Sequence, residues 1–370
     1  MKGAMEGLVV ENVTKYYGQK IVLKDVTLSA KAGTFTVVLG PPGAGKTTLL
    51  RIIAGIEKQD KGRILIDGID VSNTPPQKRN VALVFQSFAL YPHMTVYENI
   101  ASPLRARKMP ETEVKRKVDQ ILEILGLSEL RDRYPRELSG GQAQRVSIGR
   151  AMAKDARIYL FDEPFTNLDF KIRESMREEL KRLCKLLKAS IIFAASDPLD
   201  ALSMADNVVI LNKEVIEQGV TKEIYDNPLK LETMKIFNPG LLNSVEAIAV
   251  EKNGRIILST SLSDLEIELE ALRGKVEVGS KYFVVFKGHD LQLIGESRDY
   301  SARDNVIIFD CELYFTEITG PETICYLEAN GHKLIAITPT SLRPRGYGKI
   351  KVLLPKEKIY IFDINGKRVL

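Results

Sequence analysis

The stretch TFTVVLGPPGAGKTTLLRIIAG, residues 34–55, decides the fold of this chain. It begins with an apolar run, continues with a segment rich in glycine and proline, and ends with apolar residues at helical spacing. Residues 40–47 fit the pattern G-x-x-x-x-G-K-[ST], which predicts a strand, a phosphate-binding loop and a helix in succession. In such a loop the backbone amides surround phosphate oxygens, Lys46 reaches the β- and γ-phosphates, and the Thr47 hydroxyl binds Mg²⁺. The candidate nucleotide-binding residues here are Gly40, Pro41, Pro42, Gly43, Ala44, Gly45, Lys46, Thr47 and Thr48.

Strand-like and helix-like patterns alternate on both sides of this stretch. The candidate strands are 34–40, 80–85, 157–162, 190–196 and 207–212, and the candidate helices are 45–55, 113–127 and 171–188. This alternation predicts an α/β domain with a mainly parallel sheet over residues 1–238. Short strands and tight turns, such as Asn253-Gly254, follow and predict a small all-β barrel or sandwich over residues 239–370.

Composition narrows the class of protein. A chain of 370 residues with 44% hydrophobic and 27% charged residues is typical of a soluble globular protein of two domains. No apolar run approaches the roughly 20 residues of a membrane-spanning helix, and the first residues lack the apolar core of a signal peptide. Three cysteines, odd in number and widely spaced, predict a reducing compartment without disulfides. The formal charge of +5 is spread along the chain and does not favour a nucleic-acid partner.

A second acidic element follows the phosphate loop along the chain. The stretch RIYLFDEP, residues 157–164, is an apolar strand that ends in Asp162 and Glu163. Asp162 would hold Mg²⁺ through water, and Glu163 is placed to polarise an attacking water as a general base. A strand that merely ends in an exposed acidic turn is the alternative, which the phosphate loop upstream makes much weaker.

The stretch LSGGQ stands directly before a helical pattern. Its five residues are Leu138, Ser139, Gly140, Gly141 and Gln142. Glycines let backbone amides approach a ligand closely, and a helix N-terminus attracts anions. The phosphate loop, LSGGQ and the acidic pair, in this order, resemble the ATPase of the ATP-binding cassette (ABC) family. The resemblance implies an α/β P-loop NTPase cassette with a helical subdomain, in which LSGGQ binds the γ-phosphate of ATP held by the other subunit.

Further positions match the family pattern between residue 8 and about residue 235. Tyr17 stands where the family has an aromatic side chain that stacks on adenine; Tyr16 is the neighbouring possibility, and a buried core aromatic is the alternative. Gln86 matches the glutamine that bridges Mg²⁺, the attacking water and the membrane partner. The stretch FTNLDF, residues 165–170, matches the dimer-contact loop, with Asp169 as its key residue.

One position departs from the family. The switch histidine, usually in a Thr-His-Asp triplet, should stand at residue 196, where this chain has Ser196 followed by Asp197. Serine can form a hydrogen bond to a γ-phosphate but carries no positive charge. Either hydrolysis tolerates serine at a reduced rate, or the chain pairs with a histidine-bearing partner, or the serine was introduced by design.

The second half of the chain narrows the subfamily. Residues 221–243 resemble the junction in sugar importers of the maltose-transporter type, where an oligonucleotide/oligosaccharide-binding-like regulatory domain (TOBE) follows the cassette. The resemblance implies an ATP-hydrolysing subunit on the cytoplasmic face of the cell membrane, working with ATP and Mg²⁺. Its implied partners are membrane permease subunits and a second copy of the chain or a related ATPase. Importers of polyamine, sulfate or iron carry similar domains and remain alternatives.

Other classes fit the sequence less well. An ABC ATPase for DNA repair would need a long coiled coil between Lys46 and Leu138, and a translation-factor ATPase would need two cassettes. A non-catalytic regulatory module is disfavoured because Lys46, Asp162 and Glu163 are intact. In the importer, residues 87–100 would receive a short permease helix, with Tyr91 and Met94 as apolar contacts.

Overall fold

The computed structural model describes residues 6–165, 170–187, 189–252, 254–260, 262, 266–268, 274–294, 305–344 and 346–370. The chain forms two compact units, Met1–Asp226 and Asn227–Leu370. The sequence-based boundary after residue 238 lies further along the chain, beyond the helix Leu231–Phe237. This helix belongs to the second unit because its Leu231 and Met234 share a small core with Val285 and Phe362.

The N-terminal unit alternates strands and helices, as its sequence predicts. Its described strands are β1 Glu6–Tyr17, β2 Lys20–Lys31, β3 Phe35–Leu39, β4 Lys61–Ile66, β5 Ile69–Asp70, β6 Val81–Val84, β7 Ile158–Asp162, β8 Ser190–Ala195, β9 Asn207–Asn212 and β10 Glu214–Val220. Its described α-helices are α1 Lys46–Ala54, α2 Val96–Ala106, α3 Glu111–Ile124, α4 Gly140–Ala153, α5 Phe170–Leu187, α6 Pro198–Met204 and α7 Thr221–Asp226. The five strands and three helices predicted from the sequence all appear at these positions.

The central sheet has six strands in the order β10-β9-β3-β8-β7-β6. All of its neighbouring strands pair in parallel except β10 and β9, which pair antiparallel. Strand β8 lies between β3 and β7, with Leu39 opposite Ala195 and Asp162 opposite Ala194. The carboxyl ends of these three parallel strands therefore meet at one edge of the sheet, where ligands of open α/β sheets usually bind.

A separate antiparallel sheet, in the order β2-β1-β4-β5, was not predicted from the sequence. The pairing of β1 with β2 contains several register shifts, and such irregularities interrupt the simple alternation by which strands are identified. Its inner residues, including Leu8 and Leu23, share one apolar core with Leu49 of α1 and with Val38 and Ile192 of the central sheet. Helix α1 is thus held against strands of both sheets.

Helices α2, α3 and α4 pack against one another and form the predicted helical subdomain. Gly149 of α4 allows their close approach, because a Cβ atom there would lie 2.9 Å from Leu125 Cδ1 and 3.1 Å from Ile100 Cδ1. Among the described residues, no helix combines the length and the apolar character needed to cross a lipid bilayer.

The C-terminal unit confirms the all-β prediction for the second half of the chain. It begins with α8, Leu231–Phe237, and its described strands are β11 Leu242–Lys252, β12 Arg255–Thr260, β13 Glu266–Glu268, β14 Lys281–Lys287, β15 Gln292–Ile294, β16 Val306–Ile318, β17 Glu322–Ala329, β18 His332–Pro339, β19 Gly348–Pro355 and β20 Tyr360–Asp363. These strands form two five-stranded sheets, β13-β12-β11-β14-β20 and β15-β19-β16-β17-β18. One apolar core, which includes Val284 and Phe309, joins both sheets.

Candidate functional site

The glycine-rich loop leaves β3 and enters α1, as the motif predicts. The Gly40 N–H donates to the Ala195 carbonyl at 3.2 Å, and the Lys213 N–H donates to the Ala44 carbonyl at 2.9 Å. A Cβ atom on Gly40 would lie 2.0 Å from the Leu211 carbonyl oxygen, so no side chain fits there. Pro41, Pro42 and Gly43 are exposed at the tip of the loop, whereas Ala44 is buried. The loop is therefore fixed at its base by main-chain contacts and open at its tip.

Lys46 is the first residue of α1, and its side chain is only 3% exposed. Its Nζ atom donates to the carbonyls of Gly40 at 2.8 Å and Pro41 at 3.0 Å. It also donates to Ser196 Oγ at 2.9 Å and forms an ion pair of 3.0 Å with Glu163 Oε1. The ammonium group thus lies inside the loop and is surrounded by oxygen atoms.

Glu163 follows β7 directly and has a φ of 44°, a left-handed backbone conformation that is rare for glutamate. Its N–H donates to the Ala194 carbonyl at 3.2 Å, which fixes the residue against the end of β8. The Ser196 hydroxyl donates to Glu163 Oε1 at 2.8 Å. The structure therefore brings Lys46, Glu163 and Ser196 together at the edge where β3, β7 and β8 end.

Thr47 and Asp162 form the neighbouring part of the site. The Thr47 hydroxyl donates to Asp162 Oδ1 at 2.7 Å, and Asp162 is only 2% exposed. Burial raises the pKa of the Asp162 carboxyl and the charge of Glu163 raises it further, while the Thr47 hydrogen bond, Arg51 and Lys46 act in the opposite direction. A divalent cation here would offset the cost of burying the carboxylate.

The donor set fits Mg²⁺, which binds oxygen ligands and usually keeps several waters or substrate phosphates in its shell. Within the described ranges, no three or more His, Cys, Asp or Glu residues cluster as a metal site. A metal ion at Thr47 and Asp162 would therefore take its remaining ligands from phosphate and water. Thr48 lies next along α1 and is half-buried.

A cavity of about 200 Å³ opens beside Glu163 and Ser196, and Pro42 and Arg173 also line it. It lies next to the tip of the phosphate loop and the acidic residue proposed as the general base. The cavity therefore adjoins both the phosphate loop, at Pro42, and Glu163.

Ion pairs fix the wall of this cavity formed by α5 and α6. Arg177, which is 7% exposed, donates to Asp200 at 2.7 Å and to Asp197 at 3.0 Å. Arg173 also donates to Asp197, at 3.2 Å. Asp197 in turn accepts the Leu199 N–H at 2.9 Å and so caps α6. These contacts hold the segment that carries Ser196.

The LSGGQ residues form the start of α4. Ser139 is the N-cap: its Oγ accepts the Gln142 N–H at 3.3 Å, while Gln142 Oε1 accepts the Ser139 N–H at 2.9 Å. This reciprocal capping box was missed from the sequence, although a serine followed three residues later by glutamine is its signal. Ser139 and Gly140 are exposed, while Leu138 and Gly141 are half-buried. The first turn of α4 thus presents its N-terminus to solvent.

Gln86 follows β6 and is exposed at the start of an unusual loop. Phe88 and Ala89 have φ values of 61° and 48°, so two consecutive residues adopt the left-handed conformation. Ser147 Oγ donates to the Phe88 carbonyl at 2.9 Å, and Arg150 donates to the Ala89 carbonyl at 2.8 Å. Helix α4 therefore holds the loop that follows Gln86. Neither donor is predictable from the sequence, because a hydrogen bond to a backbone carbonyl leaves no residue pattern.

Tyr17 ends β1 and is 46% exposed, so it is not a core aromatic, and the neighbouring Tyr16 is 37% exposed. The partner strand β2 packs against the phosphate loop, since a Cβ atom on Gly45 would lie 2.6 Å from Leu23 Cδ2. Tyr17 therefore belongs to a hairpin that reaches the loop. Asp169, predicted in the dimer-contact loop, lies outside the described residues.

Comparison with known proteins shows which family and relatives the chain is similar to. The ABC transporter family model matches residues 23–166, from β2 through the acidic pair. The trehalose/maltose import ATP-binding protein of Thermococcus litoralis is 36% identical over 97% of this chain and 98% of its own length. The spermidine/putrescine import ATP-binding protein of Aggregatibacter actinomycetemcomitans is 41% identical, over 67% of each chain.

A solved structure is similar to part of this chain. A dimeric ATP-binding cassette in a post-hydrolysis state, bound to ADP and phosphate, is 31% identical and superposes with a TM-score of 0.53. The match covers 58% of this chain and 98% of that cassette. Both the sequence and the structure of this chain are therefore similar to those of ATP-binding proteins.

Proposed function

This chain belongs to the ABC transporter family, and on that premise we propose that it is the ATP-hydrolysing subunit of a membrane importer for sugars. One observation carries the proposal. Lys46, Glu163 and Ser196 meet within 3.0 Å of one another, beside the Thr47–Asp162 pair. This arrangement supplies a phosphate-binding cation, a candidate general base and a candidate magnesium site at one sheet edge.

ATP would bind with its phosphates against the amides of the glycine-rich loop. Lys46 would then exchange its contact with Glu163 for the β- and γ-phosphate oxygens, because phosphate carries more negative charge than one carboxylate. Thr47 and Asp162 would hold Mg²⁺, which when bound neutralises phosphate charge; Gln86 would add a further oxygen ligand. Tyr17 would stack on the adenine ring.

Glu163 would act as the general base for hydrolysis. It would accept a proton from a water molecule as the water oxygen bonds to the γ-phosphorus. The bond between the γ-phosphorus and the β–γ bridging oxygen would break, which yields ADP and inorganic phosphate. The left-handed backbone of Glu163 and its hydrogen bond to Ala194 support this role, because both fix the residue beside the cavity.

A second copy of the chain, or a related ATPase, would complete each site. The exposed N-terminus of α4, with Ser139 and Gly140, is suited to bind the γ-phosphate held by the opposite phosphate loop. Leu138, Gly141 and Gln142 shape this turn, and Asp169 would contribute to the contact between the copies. ATP would thereby join the two chains, and hydrolysis would release them.

A groove of about 340 Å³ supports the proposed permease partner. It is lined by residues of α1, α2, α4 and β6 together with Tyr91, and it adjoins the loop that follows Gln86. A short cytoplasmic helix of a permease subunit would bind at this face, near Tyr91 and Met94. The chain would then work at the cytoplasmic face of the cell membrane, and movement of the Gln86 loop would pass to the permease.

The extent of the similarities favours sugar over polyamine as the cargo. The trehalose/maltose relative matches nearly all of this chain, including its C-terminal unit, whereas the spermidine/putrescine relative matches two thirds of it. The C-terminal domain, residues 239–370 in the sequence-based division, would serve as a regulatory domain of the same importer.

Substitution of two site residues tests the proposal. Glu163→Gln should retain ATP affinity but lower steady-state ATP turnover by about a hundredfold to ten-thousandfold, because the general base is lost. Lys46→Ala should instead abolish ATP binding, measured by equilibrium titration. Turnover of Glu163→Gln within about twofold of wild type would contradict the assignment of the base.

A further inference from the structure

Ser196 forms a bridge between two charged groups of the site. Its hydroxyl accepts a hydrogen bond from Lys46 Nζ at 2.9 Å and donates one to Glu163 Oε1 at 2.8 Å. Lys46 Nζ and Glu163 Oε1 are themselves 3.0 Å apart. The three groups close a triangle in which the hydroxyl uses its single proton on the carboxylate.

We propose that Ser196 is a positioning residue for Glu163, acting on the carboxylate and not on the nucleotide. The hydrogen bond from a hydroxyl to a carboxylate is charge-assisted, so it is stronger than a neutral hydrogen bond and fixes the orientation of the carboxylate. Glu163 Oε1 is the atom that Ser196 holds, and both residues line the same cavity. The inference rests on the proposed function, because it needs Glu163 to act as the base.

The hydrogen bond from Ser196 to Glu163 should persist after nucleotide binds. Without nucleotide, Glu163 is held by both Lys46 and Ser196. Once Lys46 contacts phosphate, the ion pair is lost and the Ser196 hydroxyl remains as a donor to the same oxygen. Ser196 therefore contributes to the bound state that reacts, so its loss should change kcat and leave ATP affinity unchanged.

The surroundings of Ser196 argue against a role in stability alone. The residue is exposed, whereas the preceding strand residues of β8 are buried, so its side chain contributes little to the core. Its segment is fixed separately by the contacts of Asp197 with Arg173, Arg177 and the Leu199 N–H. An alanine at position 196 should therefore leave the fold intact.

The test compares Ser196→Ala and Ser196→Thr with the wild type. Ser196→Ala should lower kcat about tenfold, which corresponds to about 1.4 kcal/mol, with the Kd for ATP changed less than twofold. Ser196→Thr keeps the hydroxyl and should restore most of kcat. Ser203→Ala is the matched control: this exposed serine donates to the Leu199 carbonyl within α6, and its loss should leave kcat unchanged.

A double substitution separates action through Glu163 from direct contact with ATP. In single-turnover hydrolysis of radiolabelled ATP, Ser196→Ala should add less than twofold to the loss caused by Glu163→Gln. An equal tenfold loss in both backgrounds, full kcat in Ser196→Ala, or no recovery in Ser196→Thr would overturn the inference. If Glu163→Gln alone leaves turnover intact, the proposed function fails instead.

Discussion

The Thr47 hydroxyl and the Asp162 carboxylate, 115 positions apart in the sequence, are joined by a hydrogen bond of 2.7 Å. This bond connects the first turn of α1 to the end of β7, two elements that carry different motifs. Burial raises the pKa of the Asp162 carboxyl by more than the hydrogen bond from Thr47 lowers it, so the pKa lies above its ordinary value. Because a bound cation would offset the cost of burying this carboxylate, the pair predicts a cation site.

Asp162→Asn should separate the catalytic role of this carboxylate from its effect on stability. Because a magnesium ligand is lost, the Mg²⁺ concentration that gives half-maximal ATP hydrolysis should rise at least about tenfold. The nucleotide-free variant should melt at the wild-type temperature or above it at pH 7, because the amide carries no charge to bury. Steady-state assays over a Mg²⁺ series and thermal melts measure the two effects.

The pH dependence of the same melts has a definite sign. A native pKa raised above the ordinary 3.8 means that the folded state holds this proton more tightly than the unfolded state. The free energy of unfolding should therefore decline as pH rises from 3.8 through the raised pKa, because Asp162 becomes charged while buried. Asp162→Asn should remove that decline. Asp155→Asn, which changes an exposed carboxyl, is the control. If Asp162→Asn is less stable than the wild type at pH 7 but not at low pH, this account is contradicted.

The capping box of α4 allows its structural role to be separated from phosphate binding. Ser139→Ala should lower the free energy of unfolding by about 1 kcal/mol, because the Gln142 N–H loses its acceptor. Ser139→Asp keeps an acceptor at the N-cap and should retain stability, yet its charge would repel the γ-phosphate of the second copy. Urea unfolding and ATP-driven dimerisation of Glu163→Gln, with and without each change, provide the measurements. Undiminished dimerisation of the Asp variant would exclude the proposed contact.

Local motifs made much of this site predictable. A strand, a glycine-rich loop and a helix follow one another within residues 34–55, and the acidic pair directly ends a strand. Each motif fixes its own backbone, so the positions of Lys46 and Thr47 at a helix start and of Asp162 and Glu163 at a strand end could be predicted from the sequence. The reciprocal cap of Ser139 and Gln142 also has a local signal, a serine followed three residues later by glutamine.

The contacts between motifs were not predictable from the sequence. Lys46, Glu163 and Ser196 meet only because β8 lies between β3 and β7, and strand order depends on packing of the whole sheet. The sequence predicts Ser196 as a hydrogen-bond partner of the γ-phosphate, which stays a prediction, and gives no sign of the hydrogen bond from its hydroxyl to Glu163. Likewise, α8 precedes the predicted boundary but packs with the C-terminal unit through Met234.

The cysteines of the C-terminal unit should be inert in the folded protein. Cys311 and Cys325 are buried, and burial raises the pKa of the Cys311 thiol to about 12. Because the thiolate is the reactive form, iodoacetamide at pH 8 should leave both residues unmodified in native protein and modify both in urea. Peptide mass spectrometry distinguishes the two sites. Modification in native buffer at the rate seen in urea would show that this core opens readily.

Two glycines of the phosphate loop should respond differently to alanine. At Gly40 a Cβ atom would lie 2.0 Å from the Leu211 carbonyl oxygen, so the loop or β9 must shift. We expect Gly40→Ala to lower the free energy of unfolding by about 3 kcal/mol or more and to abolish ATP binding.

Gly43→Ala is the matched comparison at the exposed tip of the same loop. Its Cβ atom would have no neighbour within 4 Å, so only the backbone φ of 80° opposes the substitution. The left-handed conformation costs an alanine about 1–2 kcal/mol, and the fold should survive. Urea unfolding of both variants checks the difference in stability, and ATP titration checks binding. Equal destabilisation by the two substitutions would contradict this prediction, because the contact with the Leu211 carbonyl would then cost Gly40→Ala no more than the left-handed backbone costs Gly43→Ala.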